Sequence, residues 1–248
     1  MSVPNAPIIG YRNLLRLVPL AATGDDDPAR SVDWRLDRAW RPGSTSATIT
    51  TSAGAGPADY CAIAGHNLGG GEIRISAWRV GRFQQVAVIY PEAAECRLVS
   101  FPPRLASRWQ IAFSSLNPLA VSVLALGSSL RLDSGMRPGF TPPPFTQQAE
   151  VLTTTSQDGI PLGRTIRRRP GQLTINPTDV DDEWMRLHWL PFRGHALVHP
   201  FFLAWNPQQW PEEACICWSE DAPTANSYTR PGFMDASMQC RVLSAVPA

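Results

Sequence analysis

Lysine is absent from this chain of 248 residues: all 22 basic side chains are arginines, set against 21 acidic ones, and only four residues are histidine. The formal charge of +1 and pI near 7.7 leave no long-range field to attract phosphate backbones or an anionic lipid surface, which excludes nucleic-acid binding as the main task. The uniform use of arginine reads as the codon bias of a GC-rich genome. It also suits interfaces, because the planar guanidinium makes bidentate pairs and stacks on rings. Long apolar runs are lacking too. The most apolar stretch, 119–126, is far too short to span a bilayer and contains Ser122, so no membrane insertion is expected. Arg12 and Arg16 interrupt the apolar N-terminal segment, which is therefore not expected to act as a secretory signal; synthesis in a cytoplasm is the expectation.

Cysteine is scarce and odd in number. Cys61, Cys96, Cys215, Cys217 and Cys240 are scattered, unlike the dense, even framework of a small disulfide-held domain, so buried reduced thiols are expected. Cys215 and Cys217 would share one strand face but lack the spacing and further ligands of a zinc site. Asp25, Asp26 and Asp27 read as a turn or cap, because a calcium cage needs six or more oxygens. No metal and no cofactor are expected.

Catalytic signatures are missing as well. No G-x-S-x-G elbow occurs, and no cysteine sits in a recognisable nucleophile motif. His66 with Asp59 makes a triad only on paper; a histidine at a strand end more commonly bonds a loop backbone. His195 and His199 are four apart, but Pro191, Gly194 and Pro200 argue against a continuous helix there. Gly69, Gly70 and Gly71 are not followed by Lys-Ser/Thr, so they supply a turn and not a phosphate loop. No pair of carboxylates is singled out for glycoside cleavage. An enzyme is not expected.

What the chain has in quantity is punctuation: 24 prolines and 18 glycines imply many turns and few long helices. Strand patterns recur at Ala47–Thr51, Tyr60–Ala64, Glu72–Val80, Phe83–Tyr90, Arg97–Phe101, Arg108–Phe113 and Val121–Leu126. Trp109, Ile111 and Phe113 alternate with Gln110, Ala112 and Ser114, which puts the large side chains on one pleated face. Short strands without helical periodicity between them predict an antiparallel sandwich or jelly roll. At 134–149 the composition breaks to SGMRPGFTPPPFTQQA, an extended, stiff segment placed here as a linker between domains 1–133 and 150–248. Beyond it, Glu150–Thr155 and Ile160–Arg169 flank Asp158-Gly159, a hairpin turn signal. Arg164, Arg167 and Arg169 on its second strand are candidates for a subunit interface, against the plainer reading of an edge blunted by charge. The strongest helix pattern lies near 178–190: Thr178 as cap with Asp181, acidic residues in the first turn, Val180, Trp184 and Leu187 on one face that packs on a sheet, and Pro191 as the stop. The expected fold class is mainly β, with two β-sandwich domains, the second carrying one helix.

The stretch ADYCAIAGHNLGGGEIRISAW, 58–78, breaks an apolar strand at His66-Asn67, crosses three glycines and resumes as a second strand. With Asn13-Leu14-Leu15, the Trp34 and Trp40 region and Ala47–Thr51, it resembles the discoidin or galactose-binding type of jelly roll found in tail proteins of bacteriophages and prophages. The second half resembles, by architecture more than motif, the tail-tube-like β fold of distal-tail and tail-tip proteins, although such proteins commonly place the tube-like domain first. The resemblance implies a structural protein of the tail tip or baseplate. Its partners would be sister copies in a homo-oligomeric ring and other tail proteins, and its place the virion. The alternative is a carbohydrate-binding module that holds a host surface glycan with Trp34, Trp40, His66 and Asn67, by stacking and rim hydrogen bonds. An enzyme acting on cell-wall or surface polysaccharide is a third class.

Overall fold

The computed structural model describes residues 6–92, 95–133, 135–146, 148–158, 160–227 and 231–244. In chain order the strands are β1 (Ile8–Gly10), β2 (Leu20–Ala22), β3 (Ser46–Thr51), β4 (Gly56–His66), β5 (Glu72–Arg79), β6 (Arg82–Ile89), β7 (Arg97–Ala106), β8 (Trp109–Ser114), β9 (Val121–Gly127), β10 (Leu130–Arg131), β11 (Gln148–Thr155), β12 (Pro161–Arg169), β13 (Gly171–Ile175), β14 (Val180–Asp181), β15 (Phe201–Ala204), β16 (Ala214–Ser219), β17 (Thr224–Ser227) and β18 (Phe233–Leu243). A single continuous helix covers 182–196. The protein is mainly β, and the strands expected between Ala47 and Leu126 all form.

A five-stranded sheet ordered β2-β3-β8-β5-β6 faces a three-stranded sheet ordered β7-β4-β9, a sandwich of jelly-roll type. Between them lie Ile49, Ile73, Ile75, Trp109, Ile111 and Phe113 from the first sheet and Cys61, Ile63, Leu124 and Leu126 from the second. Alternation sends Tyr60, Ala62, Ala64, Val123 and Ala125 to the opposite face of the three-stranded sheet. There they meet Ile8, Phe202, Ala204, Ala214 and Ile216 of another sheet. The middle sheet is therefore buried on both faces, which is why β4 and β9 are buried along nearly their whole length and are mostly apolar, without the alternation of a one-sided strand.

That other sheet has the order β10-β1-β15-β16-β18-β13, with β14 and β17 also paired to β18. Its far face carries Ile9, Leu173, Leu203, Cys215, Cys217 and Cys240, covered by Met185, Trp189, Phe192 and Ala196 of the helix. The layers thus run five-stranded sheet, three-stranded sheet, eight-stranded sheet, helix.

The expected boundary at 133 does not describe this sheet. Ile8, Ile9 and Gly10 pair with Ala204, Leu203 and Phe202, so the N-terminal strand is hydrogen-bonded to strands far along the chain. The segment 134–149 is no spacer between separate bodies either, because β10 before it and β13 after it belong to one sheet. Its prolines form a 3-10 turn, Pro143–Thr146, that leads into the hairpin β11–β12.

The helix departs from expectation at both ends. Asp181, not Thr178, caps it by accepting a hydrogen bond from the Trp184 N–H at 3.0 Å. Pro191 does not stop it, because a π turn at Met185–Trp189 precedes the proline and shifts the hydrogen-bond register to Leu190 N–H→Met185 O, relieving the clash and lost bond that proline otherwise imposes. The helix therefore runs through Pro191 and Gly194. The buried positions are 185, 189, 192 and 196, and Leu187, expected in the core, is exposed.

Candidate functional site

Of the four residues proposed to hold a glycan, Trp34, Trp40 and His66 are buried and Asn67 is half-buried. Trp40 is fully buried, its Nε1 donates to Asp26 O at 3.2 Å, and its ring meets Phe113 edge-on at 5.6 Å. Trp34 is buried between Phe202 and His195, with centroid distances of 5.6 Å to each. The Trp40 ring therefore has no exposed face to stack on a sugar. His66 is fully buried at the end of β4, where Nδ1 accepts from the Leu68 N–H at 3.2 Å. Burial pushes its pKa below the usual histidine range, partly offset by the Glu95 carbonyl. Asn67 spends both ends of its amide on the neighbouring loop, donating to Pro118 O at 2.7 Å and accepting from the Ala120 N–H at 2.8 Å. The strand break seen in the sequence is real; its polar residues staple two loops.

Other candidate chemistry resolves in the same way. Asp59 lies seven residues from His66 on β4, roughly 23 Å along an extended strand, and its carboxylate accepts from the Ser129 N–H at 2.7 Å and from the Ser129 hydroxyl at 3.0 Å. Asp26 accepts from the Arg41 N–H and Asp27 caps the turn Pro28–Ser31, the cap role expected of that acidic run. All five cysteines are free and buried. Burial pushes the Cys61 thiol up to about 12, far from the thiolate that a nucleophile needs. Among the described residues no three His, Cys, Asp or Glu side chains gather as metal ligands, and no helix is long and apolar enough to cross a membrane.

The exposed features lie elsewhere. β11 and β12 form a ribbon paired only with each other among the described residues. Its register runs from Gln148↔Arg169 to Thr154↔Gly163 with an irregularity at Thr155, and its tip is closed by Ser156 N–H→Ile160 O at 2.8 Å. Gly159 of the expected turn lies outside the described residues. Along the ribbon and its entry, Phe145 (74%), Leu152 (52%), Ile160 (60%) and Leu162 (66%) are largely solvent-exposed. Arg164, Arg167 and Arg169 have their backbone on β12, opposite Thr153, Glu150 and Gln148; their side chains lie outside the described residues. A second apolar surface is the outer side of the helix, where Leu187, Leu190, Leu197 and Val198 are exposed. The exposure of the helix's outer side is not legible in the sequence, since a leucine pattern alone does not say which face is covered.

At one end of the sandwich, Trp78 and Phe83 pack edge-on at 4.9 Å, and the Arg108 guanidinium lies 5.8 Å from the Trp78 ring. Both rings are partly exposed.

No family model and no curated protein matches the chain. Solved structures are similar to part of it. A GH29 fucosidase of Ruminococcus gnavus shares 13% identity over 48% of this chain, with a TM-score of 0.39, and only 27% of that enzyme is covered. A family 32 carbohydrate-binding module from C. perfringens NanJ, solved with galactose, shares 16% identity over 48% of this chain and 98% of its own length, with a TM-score of 0.39. Chitosan-binding module 1 of a chitosanase/glucanase from Paenibacillus sp. IK-5 shares 12% over 47% and 98%, with a TM-score of 0.38.

Proposed function

We propose that this chain is a non-catalytic assembly protein that associates with sister copies and neighbouring proteins through the β11–β12 ribbon. The observation that carries this reading is the ribbon itself: eight and nine residues long, with no strand partner at either outer edge among the described residues, and with exposed apolar side chains. A two-stranded ribbon is marginal in water unless something covers it, and unpaired edges template pairing with another chain. Mounting it on a rigid stack of layers suits a mechanical role, in which edge pairing supplies affinity and the arginines on β12 supply charge complementarity across a seam. The tail tip or baseplate of a bacteriophage or prophage, with a ring of copies joining tube to hub, is the setting to which the resemblance of 58–78 points. The test is analytical ultracentrifugation of the purified chain beside a variant carrying Leu152→Ser and Leu162→Ser. Concentration-dependent oligomers that the variant abolishes support the reading; a monomer at all concentrations refutes it.

A second reading, a module that binds surface glycans, is favoured by the partly exposed Trp78 and Phe83 rings beside Arg108, an arrangement able to stack on a sugar face and bond its hydroxyls. Here Trp78→Ala would abolish retention on host polysaccharide, whereas Trp34→Ala and Trp40→Ala would act only through loss of fold.

A further inference from the structure

Beside the helix lies a groove of about 360 Å³. One wall is the segment that carries β17. The other is the helix, through Met185, Arg186, Trp189, Leu190 and Arg193, with Met234 also lining it. Three independent observations make this groove more than a surface irregularity. First, β17 pairs with β18 alone, so among the described residues its other edge has no strand partner, and Thr224, Ala225 and Asn226 are exposed. Second, buried Trp189 lines the groove together with Met185 and Met234 and gives it an apolar side. Third, two guanidinium groups line the groove. Arg186 is shared with Asp182 at 2.9 Å, whereas no carboxylate pairs with Arg193 among the described residues.

We propose that this groove binds an extended acidic peptide segment of a partner protein, which adds a strand to the free edge of β17. Alternate residues of such a segment point to opposite sides. Its apolar side chains would pack on Met185, Trp189 and Met234, and its carboxylates would meet Arg193 and the exposed side of Arg186. Strand addition gives affinity through main-chain bonds and specificity through the side-chain pockets. The ribbon of a second copy is the poorer occupant: β12 brings Arg164, Arg167, Arg168 and Arg169, like charge against Arg186 and Arg193.

The probe is a fluorescein-labelled, N-acetylated nonapeptide alternating valine with aspartate, titrated by anisotropy into the full chain beside its lysine counterpart. Saturable binding of the aspartate peptide, at least tenfold tighter than of the lysine peptide, is expected. Arg193→Glu should weaken it tenfold or more and Arg193→Lys by less, with melting temperatures unchanged because Arg193 is exposed. Amide exchange should slow at 224–226. Absence of saturable binding, equal binding of the lysine peptide, an Arg193→Glu variant that binds as tightly, or protection confined to other strands would each overturn the proposal. So would dissociation of self-assembled copies by Arg193→Glu, which would assign the groove to a second copy. The ribbon variant Leu152→Ser with Leu162→Ser leaves this groove intact and should bind the peptide normally, so failure of the assembly reading and failure of this one are separable.

Discussion

Asn13 holds the chain where it crosses from the eight-stranded sheet into the sandwich. Its Nδ2 donates to Leu124 O at 2.9 Å, and its Oδ1 accepts from the Leu126 and Leu15 N–H groups at 3.2 Å each. Asn13→Ala would leave buried β9 groups unpaired, so a loss of about 2–3 kcal/mol is expected, read as a shift in urea midpoint. The crossing also demands two glycines. A Cβ on Gly10 would stand 2.5 Å from the Tyr60 ring, and one on Gly127 would stand 1.9 Å from Arg12 O. The Tyr60 hydroxyl closes the same junction by donating to Arg12 O at 2.8 Å. Gly127→Ala meets backbone and not a movable side chain, so its cost should exceed that of Asn13→Ala. The sequence showed Asn13-Leu14-Leu15 and the His66-Asn67 break as features worth attention, but not their roles. A polar residue next to a strand looks the same on paper whether it faces a ligand or the underside of a loop. The burial of Trp34 and Trp40 is hidden for the same reason, since a loop-rich sequence around tryptophan does not reveal that the loop folds over it. Truncating either to alanine should cost about 3–5 kcal/mol as a core defect, seen in thermal unfolding and without any change specific to glycan.

At the scale of elements, the alternating strands of the sandwich were readable because one face of each is buried and period two survives in the sequence. β4 and β9 were readable as strands but not as the filling of a stack, because an apolar run states burial on both sides without naming the neighbours. The hairpin was found from its turn signal, whereas its isolation was not, since nothing local records that no third strand arrives. Isolation has a measurable consequence. Replacing exposed Leu152 and Leu162 by serine removes no core contact, so the unfolding free energy should stay within about 0.5 kcal/mol of the parent while self-association is lost. A fall of several kcal/mol would mean that the ribbon packs on its own chain, and would remove the basis for treating it as an arm. The helix runs past Pro191, against the usual rule for proline, because a π turn accommodates it, and that device has no sequence signature.

For the whole molecule, the layered arrangement ties stability to histidine protonation. His66 and His195 are both held below the ordinary histidine pKa, chiefly by burial. His195 sits where the layers meet, edge-on to Trp34 at 5.6 Å and to Tyr11 at 5.4 Å, with Nε2 bonded to Pro200 O at 2.9 Å. His199, 5.3 Å away, is lowered in the same direction by burial and by Arg16. Each group binds a proton more readily in the unfolded chain, near an unperturbed value of about 6.5, than in the folded one. Between those two values the unfolded state carries more protons, so stability rises with pH there. The stabilisation is therefore complete above about pH 6.5 and is lost as pH falls toward the depressed folded values. Urea midpoints should drop between pH 7.5 and 5.5, and His66→Gln should flatten part of that slope without abolishing it, because His195 remains. The middle sheet shares its two faces with both neighbours, so the loss should register as one cooperative transition at each pH. Two separated transitions would show that the sheets are independent bodies, and a midpoint that rises on acidification would show that these imidazoles are not held neutral by the fold.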